Sequence, residues 1–91
     1  MSPYQGIMME RIKQDVKWGE NRDLKPERWL AILVEEVGEA ADCINELYPC
    51  GEPKYSNEAI MDNLEYEIIQ VAATCVAWLE NLLRNEAEDK K

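Results

Sequence analysis

The stretch Ile68-Ile69-Gln70-Val71-Ala72-Ala73-Thr74-Cys75-Val76-Ala77-Trp78-Leu79 is apolar nearly all the way round a helix, and such a helix must be covered on most sides. The rest of the chain offers limited cover. It reads as two further helices, with no β pattern and no internal repeat, so the expected fold class is all-α. The first helix starts at Ser2-Pro3, with Pro at the first helical position, and runs to about Trp18 before Gly19. Its apolar positions Ile7/Met8, Ile12 and Val16 form a narrow stripe, which places it on the outside of a bundle. Gly19 to Lys25 is a polar connector. Pro26 then opens a second helix to about Leu47, about 33 Å long at 1.5 Å per residue. Its buried stripe is expected at Leu30, Leu33, Val37, Ala40/Ala41, Ile44 and Leu47. Tyr48 to Pro53 is loop by its Pro and Gly content, and Ser56 or Asn57 caps a third helix that continues to about Arg84. Residues 86–91 read as a charged, frayed tail. Three main helices cannot enclose 68–79. The bundle is therefore expected to be completed by oligomerisation, a homodimer or homotetramer with the third helix at the interface, where Ala72, Ala73 and Ala77 permit close approach.

Composition narrows the function. Ninety-one residues make one domain, spanning 1–91. A net charge of −9 argues against nucleic acid as a direct partner, because few cations remain to neutralise phosphates. The longest apolar run is too short for a membrane span, and the N-terminal region lacks a signal peptide's apolar segment. Cys43, Cys50 and Cys75 are odd in number without CxxC spacing, and read as reduced thiols of a cytoplasmic protein. With no histidine, His-based acid/base catalysis, Cys-His nucleophiles and most catalytic zinc sites are excluded.

Carboxylates interrupt both long helices. Glu35, Glu36 and Glu39 lie inside the apolar run of the second, and Glu36 borders the core between Leu33 and Ala40. Glu36 and Glu39, three apart, share a face with Cβ atoms about 5–6 Å from each other. Two carboxylates that close repel, and partial burial disfavours their charged forms further. On the third helix, Asn63, Glu67, Gln70 and Thr74 make one polar stripe. If the two helices are antiparallel neighbours, this stripe meets Glu36 and Glu39. Oxygen-bearing side chains from facing helices then form a cage suited to Mg²⁺ or Mn²⁺. The plain alternative is a set of solvated carboxylates on an exposed edge, but two pairs embedded among apolar residues favour the cage.

The pattern resembles the all-α NTP pyrophosphohydrolases of the MazG-like superfamily, whose signature is E-E-x-x-E, a spacer, then E-x-x-D. Glu35-Glu36-Val37-Gly38-Glu39 matches the first half, and the spacer of 27 residues, 40 to 66, falls inside the family's range. Glu67-Ile68-Ile69-Gln70 matches the second half except that Gln70 stands where Asp is usual. Lys17-Trp18-Gly19 and Pro26 to Leu33 also resemble small members of phage and mobile-element type. The resemblance covers about residues 8 to 84. It implies Mg²⁺-dependent hydrolysis of a nucleoside triphosphate, usually a deoxy one, to the monophosphate and pyrophosphate. Glu36, Glu39 and Glu67 would ligate the metal, Gln70 would offer a neutral oxygen, and Glu35 would orient or deprotonate the attacking water.

Substrate-binding candidates are Lys13, Lys17 and Arg28 for phosphates, Trp18 for stacking on a base, and Asn63 on the third helix's stripe. Trp29 is a weaker stacking candidate that reads, like Trp78, mainly as core. Two rivals stay open. One is a non-enzymatic acidic helical oligomer acting as an interaction module; the other is a relative acting on a phosphoribosyl-linked adenine nucleotide.

Overall fold

Ser2 begins the structure as a helix cap. In the computed structural model, which describes residues 2–89, its Oγ accepts a hydrogen bond from the Gln5 backbone N–H at 3.2 Å. The Gln5 Oε1 accepts in return from the Ser2 backbone N–H at 2.8 Å. Helix α1, Pro3–Trp18, follows and ends at Gly19, whose φ of +90° is open to glycine at no steric cost. Helix α2, Pro26–Leu47, starts on its proline. Helix α3, Asn57–Asp89, is capped by Ser56, whose Oγ accepts from the Ala59 N–H at 3.1 Å. Among the described residues there is no strand, and no helix is long and apolar enough to cross a membrane.

The third helix outruns its expected end. Asn85-Glu86-Ala87-Glu88 contains neither Gly nor Pro to stop a helix, and Glu and Ala propagate one, so the segment expected to fray is helical as far as Asp89. The remainder of that tail, residues 90–91, lies outside the described residues.

α3 is the centre of the fold. It packs against both other helices, whereas α1 and α2 make no packing contact with each other among the described residues. The α2–α3 seam is antiparallel and repeats every seven residues on α2. Trp29 donates from Nε1 to Asn81 Oδ1 at 2.8 Å, Glu36 meets Glu67, and Cys43 Sγ accepts from Asn63 Nδ2 at 3.2 Å. The buried face of α2 therefore runs through Trp29, Leu33, Glu36, Ala40, Cys43 and Leu47. This corrects half of the expected stripe. Leu30, Val37 and Ile44 are about half exposed, because rotating them inward would pull Trp29 off Asn81 and Glu36 off Glu67.

The α1–α3 seam is polar. α1 buries Gly6, Arg11 and Gln14, and Arg11 Nε donates to Glu80 Oε1 at 2.8 Å while its Nη1 reaches Gln14 Oε1 at 3.1 Å. α1 does lie on the outside of α3, but the apolar stripe expected to seat it there does not: Met8, Ile12 and Val16 are exposed, Val16 to 84%, and Gly6, Arg11 and Gln14 make the contact instead. Ala73 and Ala77, assigned from sequence to a subunit contact, are instead buried within the chain. Small side chains there let the neighbouring elements approach α3.

Asn81 ties the α1–α2 connector to this centre. It is 2% exposed, its Oδ1 accepts from both Trp29 Nε1 and the Leu24 backbone N–H, and its Nδ2 donates to Asp23 Oδ1 at 3.1 Å. Asn81→Ala would strand two donors and is expected to cost roughly 2–4 kcal/mol. At about 4–8 °C of Tm per kcal/mol for a domain of this size, thermal denaturation followed by circular dichroism would register it clearly. A loss under 1 °C would show that the connector is held by something else.

Candidate metal centre

Since α1 and α2 each lean on α3 and not on each other, an open cleft lies between them with α3 as its floor. Its volume is ≈ 470 Å³. α1 contributes Glu10, Lys13, Gln14, Lys17 and Trp18; α2 contributes Glu35, Glu36 and Glu39; α3 contributes Tyr66 and Gln70.

At the base of this cleft Glu36, Glu39 and Glu67 each present one carboxylate oxygen, all within 4.8 Å of one another. Glu67 is buried, Glu36 half-buried and Glu39 exposed. Burial drives the Glu67 carboxyl up to about 7, assisted by a hydrogen bond with Glu39 and by the negative charges of Glu39 and Glu36. Glu36 is also pushed above the ordinary carboxylate range, first by burial and then by Glu39, Glu35 and Glu10. The Tyr66 phenol moves the same way through burial and the surrounding acids. In neutral solution without metal, the cluster therefore retains a proton for much of the time.

The donor set fits a hard divalent cation. All three ligand candidates offer oxygen, and Glu67 Oε2 is buried with no hydrogen-bond partner, a costly arrangement that an ion would relieve. Gln70 is buried at the cleft wall with its Nε2 likewise unpartnered. Turning the amide over would present oxygen at that position instead, so the neutral side chain can serve as donor or as ligand.

The structure brings Glu35, Glu36, Glu39, Gln70, Lys13, Lys17 and Trp18 to one cleft, with Glu67 beneath it. Lys17 Nζ lies over the Trp18 ring at 4.6 Å from its centroid, and Trp18 is 50% exposed. Arg28 falls in an adjoining cavity and not in this one. Asn63 is a correction: it lies beyond the cluster toward the start of α3, where it donates to Cys43 and borders a separate depression with Glu46 and Tyr55. Trp29 is core at 1% exposure, with the Arg22 guanidinium over its ring, and leaves no room for a base. Trp78 is half-buried, its indole N–H without a partner.

Glu10, Gln14 and Tyr66 were missing from the sequence-based set. The first two recur with Lys17 at helical spacing along the polar side of α1, and that spacing is the signal that marks them. Tyr66 precedes Gln70 by one turn and so shares its face.

The chain matches no protein-family model, no curated protein and no solved structure. The likeness to the pyrophosphohydrolases thus rests on the sequence motif alone.

The raised Glu67 carboxyl has a definite sign in stability. The folded chain keeps a proton that the unfolded chain releases near the ordinary value of 4.5, so this contribution is complete below 4.5 and is lost as pH rises through about 7. Glu67→Gln cannot ionise. In chelator its Tm is expected to decline less than the wild type's between pH 5 and pH 8 and to exceed it at pH 8. Parallel melting curves across that range would contradict the buried cluster.

Proposed function

We propose that the cleft hydrolyses a nucleoside triphosphate, in keeping with the resemblance a deoxy one, to the monophosphate and pyrophosphate. The observation that carries this reading is the Glu36–Glu39–Glu67 cluster, with one buried oxygen unpartnered, at the base of a cleft that also holds cations and an exposed indole. Glu36, Glu39 and Glu67 would hold Mg²⁺ or Mn²⁺, with Gln70 beside them. A divalent ion bound there supplies charge neutralisation at the phosphate oxygens. Glu35, exposed on the cleft wall one residue before Glu36, accepts the proton of the water that attacks the α-phosphorus. The bond between that phosphorus and the bridging oxygen to the β-phosphate breaks, and pyrophosphate leaves. Lys13 and Lys17 compensate phosphate charge, and Trp18 gives the base a stacking surface.

The reading includes a second copy of the chain. The radius of gyration is 15.9 Å, against about 12 Å for a compact domain of this length. The accessible surface of 6925 Å² exceeds by roughly 1,400 Å² what a folded monomer of this mass exposes. A stable interface takes about 800 Å² from each partner, so the excess is ample. Leu30, Val34, Val37 and Ile44 line the outer side of α2, and Gly38 among them has nothing within 4 Å of where a Cβ would stand. A mid-helix glycine costs about 1 kcal/mol relative to alanine, and close approach of another helix would account for it. Ile68, Leu79 and Leu83 add exposed apolar surface on α3. Three free thiols fit a reducing compartment such as the cytoplasm.

A panel of purified nucleoside triphosphates with Mg²⁺, scored for pyrophosphate release, tests the chemistry. Monophosphate and pyrophosphate are the expected products, with activity lost in Glu67→Ala. Glu35→Gln should reduce turnover more than metal affinity, and Gln70→Asp should tighten Mg²⁺ binding while destabilising the metal-free protein. Diphosphate and phosphate as products would refute the reading. No response to any divalent cation would favour an acidic interaction module.

The assembly has its own test. Val34→Glu would bury an unpaired charge at a cost of several kcal/mol and should reduce the mass seen by light scattering to that of a 10.6 kDa chain. A wild-type protein already monomeric at micromolar concentration would remove the second copy from the proposal.

A further inference from the structure

Beside the metal-centre cleft lies a second cavity of ≈ 450 Å³, and the two share a wall of Gln14, Trp18, Glu35 and Glu36. The second cavity also exposes Arg22 and Arg28. Arg22 stands in the connector, and its guanidinium lies between two indoles, 5.2 Å from the Trp18 centroid and 4.8 Å from that of Trp29. No ion pair among the described residues involves Arg22 or Arg28; Arg11 makes those present. A half-buried guanidinium normally has an anionic partner, because desolvation disfavours its charge. Here burial and the repulsion of Arg11 act against the charge of Arg22, offset only in part by Asp15, which pairs with Arg11.

Its backbone is fixed from two directions. The Arg22 carbonyl accepts from Arg84 Nη2 at 2.7 Å, and the next residue, Asp23, accepts from the buried Asn81. With the backbone pinned and the guanidinium held near two rings, the N–H groups of the fork meet an anion with less further loss of entropy than a free arginine would suffer. A phosphate oxygen pair fits that planar fork bidentately.

We infer that Arg22, with Arg28, forms an anion subsite for the outer phosphates of the nucleotide whose α-phosphate sits at the carboxylate cluster, holding the leaving pyrophosphate across the shared wall. This rests on the proposed pyrophosphohydrolase reading. Two sets of cations then flank the shared acidic wall: Lys13 and Lys17 on one side, the two arginines on the other. Trp18, half exposed, borders both sides, with Lys17 and Arg22 near its ring.

Inorganic tripolyphosphate, which has no base, is the probe. Calorimetric titration with saturating Mg²⁺ is compared for wild type, Arg22→Gln, Arg22→Lys and Glu67→Gln, with a separate Mg²⁺ titration of each. Losing a hydrogen-bonded charge should weaken tripolyphosphate binding in Arg22→Gln by about tenfold, with the Mg²⁺ midpoint unchanged. The dependence of log Kd on log salt should also lose slope. Arg22→Lys keeps the charge but not the fork and should weaken binding by roughly threefold. Glu67→Gln should shift the Mg²⁺ midpoint instead. Wild type failing to bind tripolyphosphate, or Arg22→Gln binding within twofold of wild type while melting lower, would reduce the indole stack to a structural staple and overturn the inference. If Arg22→Gln does not fold, Arg22→Lys decides, and unchanged affinity with unchanged salt slope overturns it. Arg22-dependent binding in a protein that hydrolyses no triphosphate would refute the enzymatic reading and leave the anion subsite standing.

Discussion

The geometry of this molecule hangs on the amide of Asn81. One buried carbonyl oxygen holds the indole of Trp29 and the backbone of Leu24, and its amino group holds Asp23. Those contacts set which face α2 turns toward α3. Two turns along α2 from Trp29, that choice brings Glu36 against Glu67; two turns further it brings Cys43 against Asn63. A helix with two apolar sides has no intrinsic preference between them. A buried polar pair does, because leaving either partner unsatisfied costs more than exchanging one leucine for another.

Packing both outer helices on α3 alone leaves a gap between them, and the gap becomes a cleft. A compact three-helix bundle would have filled that space with side chains. Here it is walled by carboxylates and lysines, and the polar Arg11–Gln14–Glu80 seam holds α1 at its distance. Apolar surface is left over on the outer sides of α1, α2 and α3. The same architecture thus accounts for an open site and for a surface suited to another copy of the chain.

Electrostatics at the cluster run against the fold. Three acids within 4.8 Å, one buried, raise one another's affinity for protons, and the metal-free chain answers by retaining a proton near neutrality. A site that binds a proton for this reason is also one that a divalent cation competes for, since both relieve the same repulsion. Substitutions that neutralise the cluster are therefore expected to stabilise the metal-free fold while removing the charge that a cation would need.

Much of this was written in local sequence. Ser2-Pro3, Gly19, Pro26 and Ser56 mark helix ends through backbone rules that act within a few residues, and the structure follows them. Helical spacing likewise put the Glu36 and Glu39 carboxylates on one face of α2, and Glu67 and Gln70 on one face of α3. What sequence left open were choices between equivalent local options. α2 carries apolar residues at Leu30, Val37 and Ile44 as well as at Leu33, Ala40 and Leu47, and periodicity cannot say which row turns inward; the Trp29–Asn81 bond, across 52 positions, decides it. Asn63 lies on the same stripe as Glu67, yet the antiparallel register gives it Cys43 as a neighbour. Glu10 and Gln14 join the site because α1 leans on α3 with that side turned to the cleft, and Arg22 because the connector folds back over α3. Propensity and periodicity act over a few residues, whereas the partner across a seam is fixed by which distant polar groups can be satisfied together.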